Sequence, residues 1–275
     1  MVVAADRLER LWQACQGHAN QPIPPHRLPL VLDGQSCGWL EPDTARCLVR
    51  PPTQFELSAG RLSLAFDAHD LPARSAAMQR AARRLHEAGI VREWRSELLD
   101  IMGSDGGPLA TIERGACRPL GIETYSVQLN GFRPDGALLA AQRAAHKSSD
   151  PNRWDNLAGG MIAAGEHDHE ALEREAYEES GLQISGLPII RGARLRVQRI
   201  VTEGLMIETV QIFDVQLPAD FVPTNMDGEV AAFEFRSVEA TVDAIERGDF
   251  TLQASMAILD ALRRRRGSPG GTVRA

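Results

Sequence analysis

The sequence lacks the features that mark secreted, membrane-spanning or nucleic-acid-binding proteins. It has only four cysteines and no C-x-x-C pair, which favours free thiols in a reducing compartment. No apolar run approaches the length of a membrane span, and residues 1–19 predict an amphipathic helix without the apolar core of a signal peptide. The formal charge of -7 shows that the chain is not basic overall, as a nucleic-acid-binding protein usually is. We therefore expect a soluble cytoplasmic protein that binds neither nucleic acid nor membrane.

The strongest pattern in the chain lies between residues 160 and 182. It reads G-x5-E-x7-R-E-U-x-E-E-x-G-U, where U is apolar. The fixed positions are Gly160, Glu166, Arg174, Glu175, Ala176, Glu178, Glu179, Gly181 and Leu182. The apolar spacing predicts a helix that begins near His167 or Asp168 and ends at Gly181, a residue suited to the left-handed position after a helix.

Three glutamates of this helix are spaced for a shared function. Glu175, Glu178 and Glu179 stand at i, i+3 and i+4 and therefore share one helix face. Close carboxylates repel one another unless a cation joins them, and hard oxygen ligands suit Mg²⁺ or Mn²⁺. The alternative is an ordinary solvated helix. His167 and His169 are either further metal ligands or exposed residues of the first turn, and imidazole suits softer metals.

The chain before this helix has the pattern of a small α/β block. Residues 28–40 predict two short strands around the turn Asp33-Gly34, and residues 72–89 predict a helix that begins at Pro72 and stops at Gly89. We expect residues 104–118 to join this block to the next. The chain has no internal repeat, and its 275 residues allow one large domain or two modest ones.

The second half of the chain has alternating strand and helix signals. Residues 124–132 and 137–143 predict a hairpin around Pro134-Asp135-Gly136. Further predicted strands are residues 195–200, 207–215 and 230–235, and predicted helices are residues 243–247 and 253–265.

The pattern at residues 160–182 resembles the Nudix box. The chain also resembles proteins related to the Nudix half of fungal thiamine pyrophosphokinase, which carry an accessory domain before the Nudix domain. This likeness covers residues 28–266 through Val31–Gly34, Gly38–Leu40, Glu93–Glu97, Gly121–Phe132, Arg143, Lys147, Trp154–Gly160 and Asp227–Val230. Two positions depart from the pattern, because Trp154 stands where Leu is usual and Gln128 where His is frequent.

The resemblance implies the fold and the division of the chain. The expected fold is a Nudix α/β/α sandwich with a mixed sheet, preceded by a small α/β accessory domain. We expect the accessory domain at residues 1–118, the Nudix domain at residues 119–266 and a disordered tail at residues 267–275. We also expect the accessory domain to cover one side of the pocket and to help recognise the organic group of the substrate.

The resemblance also implies the metal ligands and their support. Glu175, Glu178, Glu179 and the carbonyl of Gly159 would hold Mg²⁺ or Mn²⁺, and Arg174 would pair with Glu166 to fix the ligand helix. Either Glu178 or Glu229 would serve as the general base. Glu229 is alternatively a turn acid next to Asp227-Gly228.

We expect four residues to contact the substrate. Arg143 and Lys147 would hold its diphosphate, Trp154 would stack on an aromatic ring, and Asn156 is a further substrate-binding residue. The alternatives are that both cations are simply exposed and that Trp154 belongs to the core. The run Arg263–Arg266 is read as charge that stabilises a helix end rather than as a nucleic-acid site.

The function that follows is cleavage of the phosphoanhydride in a small organic diphosphate, with release of a monophosphate. The resemblance points to oxidised or damaged thiamine diphosphate as the substrate. The alternatives are a hydrolase of a nucleoside diphosphate linked to another group, and a non-catalytic ligand-sensing module. Retention of all box carboxylates argues against the last. A homodimer is compatible with the sequence.

Overall fold

The computed structural model describes residues 3–51, 53–65, 70–147 and 149–267. The predicted tail therefore lies outside the described residues from residue 268 onward. In the described part of the chain, no helix is both long enough and apolar enough to cross a membrane.

The amino-terminal half contains a four-stranded sheet built around a tight hairpin. Strand β1 (Leu28–Leu32) pairs antiparallel with β2 (Gln35–Leu40), and the turn residues Asp33 and Gly34 both have positive φ, as such turns require. Strands β3 (Phe55–Ser58) and β4 (Arg61–Leu64) complete the order β2-β1-β4-β3, with β1 and β4 parallel. The predicted hairpin is confirmed; β3 and β4 were not predicted.

Two helices pack on this sheet. Helix α2 spans Pro42–Leu48, and helix α3 spans Leu71–Glu87. The side chain of Asp70 caps α3 by accepting from the Ala73 N–H at 2.7 Å, and Gly89 follows the helix with a φ of 72°. The predicted helix of residues 72–89 is confirmed. Its buried face contributes Met78 and Leu85 to the core of this half.

The segment predicted to join the halves is instead packed structure. Strands β5 (Leu98–Met102) and β6 (Pro108–Glu113) form a hairpin, followed by a 3-10 turn at Arg114–Ala116 and helix α4 (Cys117–Leu120). The sequence placed the junction of the two blocks around residues 104–118, but Leu109, Ala110 and Ile112 of β6 are buried in the core of the first half.

A seven-stranded mixed sheet forms the second half. Its strands are β7 (Glu123–Phe132), β8 (Leu138–Arg143), β9 (Trp154–Asp155), β10 (Ala158–Met161), β11 (Ile189–Val201), β12 (Gly204–Gln216) and β13 (Val230–Arg236). The main path is β11-β12-β7-β8-β13, while β10 pairs with β7 and β9 with β8. Strands β7 and β12 are parallel, and the other pairs are antiparallel.

The predicted hairpin of β7 and β8 is confirmed only at its turn. The two strands pair through Gly131 with Leu139 and Phe132 with Leu138, and then separate. Strand β10 takes the place beside β7 that β8 leaves. The separation places the glycines of β10 at an opening in the sheet.

Helices cover both faces of the sheet, so the α/β/α sandwich is confirmed. Helix α5 (Asp168–Ser180) packs on one face, where its Leu172 and Ala176 meet Val127 and Leu129 of β7. Helices α6 (Val238–Glu246) and α7 (Leu252–Gly267) share an apolar cluster with the other face. Helix α6 begins before the predicted residue 243 because the Ser237 hydroxyl caps it.

Helix α1 (Ala5–Ala19) packs on α7 rather than on the four-stranded sheet. Leu8 and Trp12 belong to the apolar cluster of the second half, and Arg263 lies over the Trp12 ring at 4.6 Å. Arg7 also pairs with Asp243 of α6 at 2.6 Å. We still propose that the chain divides at residue 118. In this division, α1 belongs to the accessory block by sequence but packs against the sandwich.

Candidate active site

A cleft of about 1130 Å³ lies between the accessory block and the large sheet. The accessory side contributes Arg92, Arg95, Glu97, Arg114 and Arg118 to its lining. The sheet and box side contributes Ser126, Gln128, Gly159, Gly160, Glu175, Glu178, Glu208 and Glu229. The prediction that the accessory block covers one side of the pocket is therefore confirmed.

Local hydrogen bonds fix both ends of the box helix α5. At its start, the Glu170 carboxylate accepts from the His167 N–H at 2.8 Å. At its end, Gly181 adopts the left-handed conformation with a φ of 70°. The predicted helix bounds are confirmed. His167 and His169 are exposed in or before the first turn, which is the arrangement that the second of their two interpretations predicted.

The double glycine of β10 leaves room for two side chains from neighbouring elements. A Cβ atom on Gly160 would lie 1.9 Å from Oε1 of Glu175, and one on Gly159 would lie 2.4 Å from Nε2 of Gln128. The Gly159 N–H also donates to Oε2 of Glu179 at 2.9 Å. A larger residue at either position would displace these side chains from where they now lie, so the glycines allow Glu175 and Gln128 to approach the strand.

Two of the three box glutamates are held in a poorly solvated position. Burial raises the pKa of Glu175, although the hydrogen bond from Arg174 opposes this effect. Burial also raises the pKa of Glu179 well above its usual range, and the charges of Glu175 and Asp155 add to this effect. A bound cation would favour the ionised form of both carboxylates. The donor set thus fits a hard divalent ion in its chemistry.

Arg174 is the centre of the ion pairs around the box helix. Its Nε and Nη2 each donate to one Glu166 oxygen at 2.9 Å, which is a bidentate pair, and Nη2 also donates to the Met161 carbonyl at 3.0 Å. The Glu166 hydrogen bond raises the pKa of Arg174. Burial would raise the pKa of Glu166, but the Arg174 contact outweighs burial and lowers it. The structure therefore brings the predicted pair together.

The three carboxylates do not converge as tightly as the helix spacing predicted. Within residues 3–51, 53–65, 70–147 and 149–267, no cluster of three or more His, Cys, Asp or Glu side chains has a metal-binding arrangement. The guanidinium of Arg174 donates to Glu175 at 2.7 Å and to Glu178 at 3.3 Å. Glu179 turns instead to the Gly159 amide. Positive charge and a backbone donor thus separate side chains that helix geometry alone would leave side by side.

Lys147 and Glu229 form an ion pair on the cleft wall. Burial would raise the pKa of Glu229, but the hydrogen bond and charge of Lys147 outweigh burial and lower it. The Glu229 N–H also donates to Asp227 at 2.8 Å, so Glu229 follows an acidic turn as the second interpretation stated. Glu229 can be both a turn residue and a candidate general base, because the turn directs its carboxylate into the cleft.

Arg143 borders the cleft, but its guanidinium is already occupied. It donates to Asp155 at 3.1 Å and to the Ser149 carbonyl at 3.0 and 3.2 Å. Asp155 is enclosed, and burial raises its pKa. Arg143 therefore stabilises the loop between β8 and β9. These contacts use three of its five N–H donors, and its role in holding a diphosphate stays a prediction.

The structure does not bring Trp154 and Asn156 into the cleft. Trp154 packs against the apolar cluster under α7, and the Arg236 guanidinium lies 3.9 Å from the centroid of its ring. Asn156 is 1% exposed and donates to Asn130 at 3.3 Å. Trp154 and Asn156 flank Asp155 in the chain, and both pack in the interior of the second half. This agrees with the interpretation of Trp154 as a core residue.

The arginine run at the end of α7 is engaged within the protein. Arg263 pairs with Glu9 of α1, and Arg264 donates to Asp214 and Asp260, each at 2.8 Å. These contacts agree with the helix-end interpretation. They connect α7 to α1 and to the sheet.

Several charged cleft residues were not predicted as site residues, among them Arg92, Arg114, Arg118 and Glu208. Arg114 of the 3-10 turn pairs with Glu97 at 2.6 Å; burial would lower its pKa, but the charges of Glu97, Glu175 and Glu208 raise it. Glu208 of β12 is 5% exposed and accepts from the Ser126 hydroxyl at 2.6 Å. Its place in β12 gave no distinct sequence signal, because the strand also contains Thr209, Gln211 and Asp214.

Comparisons with known proteins agree with this architecture. Residues 129–254 match the model of the NUDIX domain, and residues 9–124 match a domain of unknown function, DUF4743. Nudix hydrolase 24, chloroplastic, of Arabidopsis thaliana is 27% identical over 86% of this chain and 67% of its own. Nudix hydrolase 20, chloroplastic, of the same plant is 31% identical over 69% of this chain and 52% of its own.

One solved structure is similar over part of the chain. The Deinococcus radiodurans protein DR0079 is 22% identical, with a TM-score of 0.47 over 62% of this chain and 98% of its own. The chain described here thus contains a Nudix domain preceded by a DUF4743 domain, and it has Nudix hydrolase homologues.

Proposed function

We propose that this Nudix hydrolase is a divalent-metal-dependent diphosphatase that acts on a small organic diphosphate. A pyrophosphohydrolase activity is the general expectation for its family. The observation that carries the proposal is the pair of buried carboxylates, Glu175 and Glu179, beside the double glycine of a cleft that also contains cations. Such a site provides oxygen ligands on one side and phosphate-binding groups on the other.

Nudix enzymes generally use a divalent metal such as Mg²⁺, and the donor set here suits one. Glu175, Glu178, Glu179 and the Gly159 carbonyl are the residues we propose as ligands. A bound Mg²⁺ or Mn²⁺ would neutralise charge on the diphosphate oxygens and lower the pKa of a coordinated water.

The remaining box residues have positioning roles in this proposal. The bidentate contact of Arg174 with Glu166 holds α5 against the loop after β10, so that the carboxylates stay next to Gly159 and Gly160. Because Arg174 also contacts Glu175 and Glu178, it can compensate part of their charge when no substrate is bound.

Glu178 and Glu229 are the candidate general bases. Glu178 is at the cleft and half-exposed, and its contact with Arg174 is the longest of that group. Glu229 lines the cleft and is paired with Lys147, which lowers its pKa and makes it a weaker base than a carboxylate with a pKa nearer neutrality. A substrate phosphate that drew Lys147 away from Glu229 would remove this effect.

The substrate proposed is oxidised or damaged thiamine diphosphate. It is supported by the resemblance of residues 28–266 to the Nudix half of fungal thiamine pyrophosphokinase and its relatives. A nucleoside diphosphate linked to another group is the second candidate. The cleft volume favours it, because 1130 Å³ exceeds the roughly 300–1,000 Å³ of most small-molecule sites.

A phosphate-release assay separates these candidates. The protein would be incubated with thiamine, oxythiamine, nucleotide and sugar diphosphates in the presence of Mg²⁺, Mn²⁺ or EDTA. The proposal predicts release of inorganic phosphate and an organic monophosphate, and loss of the activity with EDTA. Two monophosphate products from a linked nucleoside diphosphate would favour the second candidate. No turnover of any compound would contradict both.

The location and assembly of the protein follow only indirectly. Its four cysteines are free thiols, and we propose a reducing compartment such as the cytoplasm. The two plant relatives carry the description chloroplastic. Fractionation of cells with an antibody against the native protein would test the proposed location, and light scattering would test a homodimer.

A further inference from the structure

The cleft floor contains a buried carboxylate that no role described above uses. Glu208 lies on β12 with only 5% of its surface exposed, and it lines the cleft. One of its oxygens, Oε1, accepts from the Ser126 hydroxyl at 2.6 Å. The other oxygen has no hydrogen-bond partner among the described residues, and it is not among the fully enclosed unpaired atoms. It is therefore open to the cleft.

Among the described residues Glu208 forms no ion pair. Arg114 pairs with Glu97 instead, although the charge of Glu208 is among those that raise the pKa of Arg114. The second Glu208 oxygen faces the open cleft, where water can solvate it. A ligand that displaces this water must supply positive charge or an N–H donor, because a carboxylate without such a partner is unfavourable away from water.

The distance between Glu208 and the box gives the ligand site two parts, one for a diphosphate and one for the group attached to it. Strand β7 lies between β12 and β10, and Ser126 of β7 pairs with Met161 of β10, directly after the double glycine. Neighbouring strands are roughly 5 Å apart, so the carboxylate is one or two strand spacings from the strand with the glycines. A ligand with its diphosphate near Gly160 can therefore place an attached ring over Glu208.

We propose that Glu208 recognises the organic group of the diphosphate by accepting an N–H hydrogen bond or by pairing with a positive charge. The ligand class is a nitrogen heterocycle that carries an amino group, a protonated nitrogen or a quaternary nitrogen close to its diphosphate. Isoprenoid and simple alkyl diphosphates lack these groups, so the carboxylate contributes nothing to their binding. The inference rests on the proposed function for the placement of the diphosphate, and Ser126 orients the carboxylate.

Equilibrium binding tests this inference without turnover. The intact protein would be titrated calorimetrically with thiamine diphosphate, ADP and dimethylallyl diphosphate, with EDTA present to prevent cleavage. Glu208→Gln should weaken binding of thiamine diphosphate or ADP roughly 10- to 100-fold, the range for a charge-assisted hydrogen bond, and leave dimethylallyl diphosphate unchanged. Ser126→Ala should give a smaller loss in the same direction.

The controls separate recognition from folding. Glu173→Gln removes an exposed carboxylate from the outer side of α5 and should change none of the three affinities. Thermal unfolding of each variant reports any loss of structure. An equal loss of affinity for all three compounds, or no loss for either nitrogen-containing compound, would overturn the inference.

The same titration distinguishes this inference from the proposed function. If the wild-type protein binds the nitrogen-containing diphosphates through Glu208 but cleaves none of them with Mg²⁺ or Mn²⁺, the inference stands and the diphosphatase proposal fails. If the protein cleaves the panel and Glu208→Gln has unchanged affinities, the proposal of function stands and the inference fails.

Discussion

The two walls of the cleft differ in how the chain builds them. The box wall comes from one strand and one helix, so its glutamates are fixed by spacings of three and four residues. The accessory wall comes from the loop before β5 and the turn after β6, where Arg114 meets Glu97 seventeen residues away. The first wall is acidic and the second contains several arginines. The difference suggests that the box wall performs the chemistry and the accessory wall holds the anionic substrate.

The largest effect is expected from the box carboxylates. Glu178→Gln and Glu179→Gln keep side-chain shape but remove a negative charge from the proposed metal site. We expect kcat to fall on the order of 10²-fold or more, as for other electrostatic catalytic groups. Steady-state kinetics with saturating Mg²⁺ would measure the fall, with Glu173→Gln as the matched control on the same helix. Near wild-type rates for both variants would assign the chemistry to a different part of the cleft.

The second prediction concerns Arg143, which the structure assigns to stability more than to substrate binding. Arg143→Ala leaves the enclosed Asp155 without its cation, and both side chains are less than 20% exposed. We expect a loss of about 2–4 kcal/mol in the free energy of unfolding, near the range for breaking a buried pair. Urea unfolding would measure it, with the exposed Arg50→Ala as control. A normal stability with a raised KM would restore the substrate-binding role.

These two cases indicate how far the sequence predicts the molecule. Helix α5 was predictable from its local apolar spacing and its glycine end, and the pairing of Arg174 with Glu166 was expected from the resemblance to the Nudix box. The role of Arg143 was not, because its partners depend on where β9 returns beside β8. Sequence spacing identifies charged side chains that could bind a ligand. Only the folded structure shows whether such a side chain is already bonded to another group of the protein.

The same limit applies to the fold. Strands β7, β11 and β12 have clear apolar patterns, and their existence was predictable. The β5 and β6 hairpin was not recognised, because Gly103, Gly106 and Gly107 of its turn resemble a linker in composition. Glu208 accepts a hydrogen bond from Ser126, which lies 82 positions away in the chain. No local sequence pattern could predict this contact.

A third prediction tests whether the box wall needs its ion pair for stability. Arg174→Ala leaves Glu166 partly buried and unpaired, whereas the double variant with Glu166→Gln removes both charges. The single variant should therefore be less stable than the double variant, by about 1–2 kcal/mol after allowance for partial exposure. Thermal unfolding at pH 7 would compare them. Equal melting temperatures would argue that the pair has no structural role.

The pH dependence of the same pair has a definite sign. The pKa of Glu166 is lower in the folded protein than its ordinary value of 4.5, so its contribution to stability is present above that value. The contribution is lost as the pH falls through the lower, folded-state pKa. The stability advantage of wild type over Glu166→Gln should thus persist from pH 7 to 5 and shrink below pH 4. An advantage that instead grew on acidification would contradict the lowered pKa.

The last effect is expected on the accessory wall, and it tests the division of roles directly. Arg114 lies opposite the box, its position is fixed by Glu97, and Glu113 accepts from the N–H of the next residue, Gly115, at 3.3 Å. If Arg114 contacts a substrate phosphate in both the ground state and the transition state, Arg114→Ala removes uniform binding. KM should then rise roughly tenfold while kcat changes little, because one lost charged contact is worth about 1.4 kcal/mol.

The exposed Arg83→Ala on α3 is the matched control, and Arg114→Lys should recover part of the affinity because it restores the charge without the planar donor group. A fall in kcat at constant KM would instead place Arg114 with the box residues in the chemical step. In that case the accessory block would complete the catalytic centre rather than hold the substrate, and the contrast between the two walls would not describe their functions.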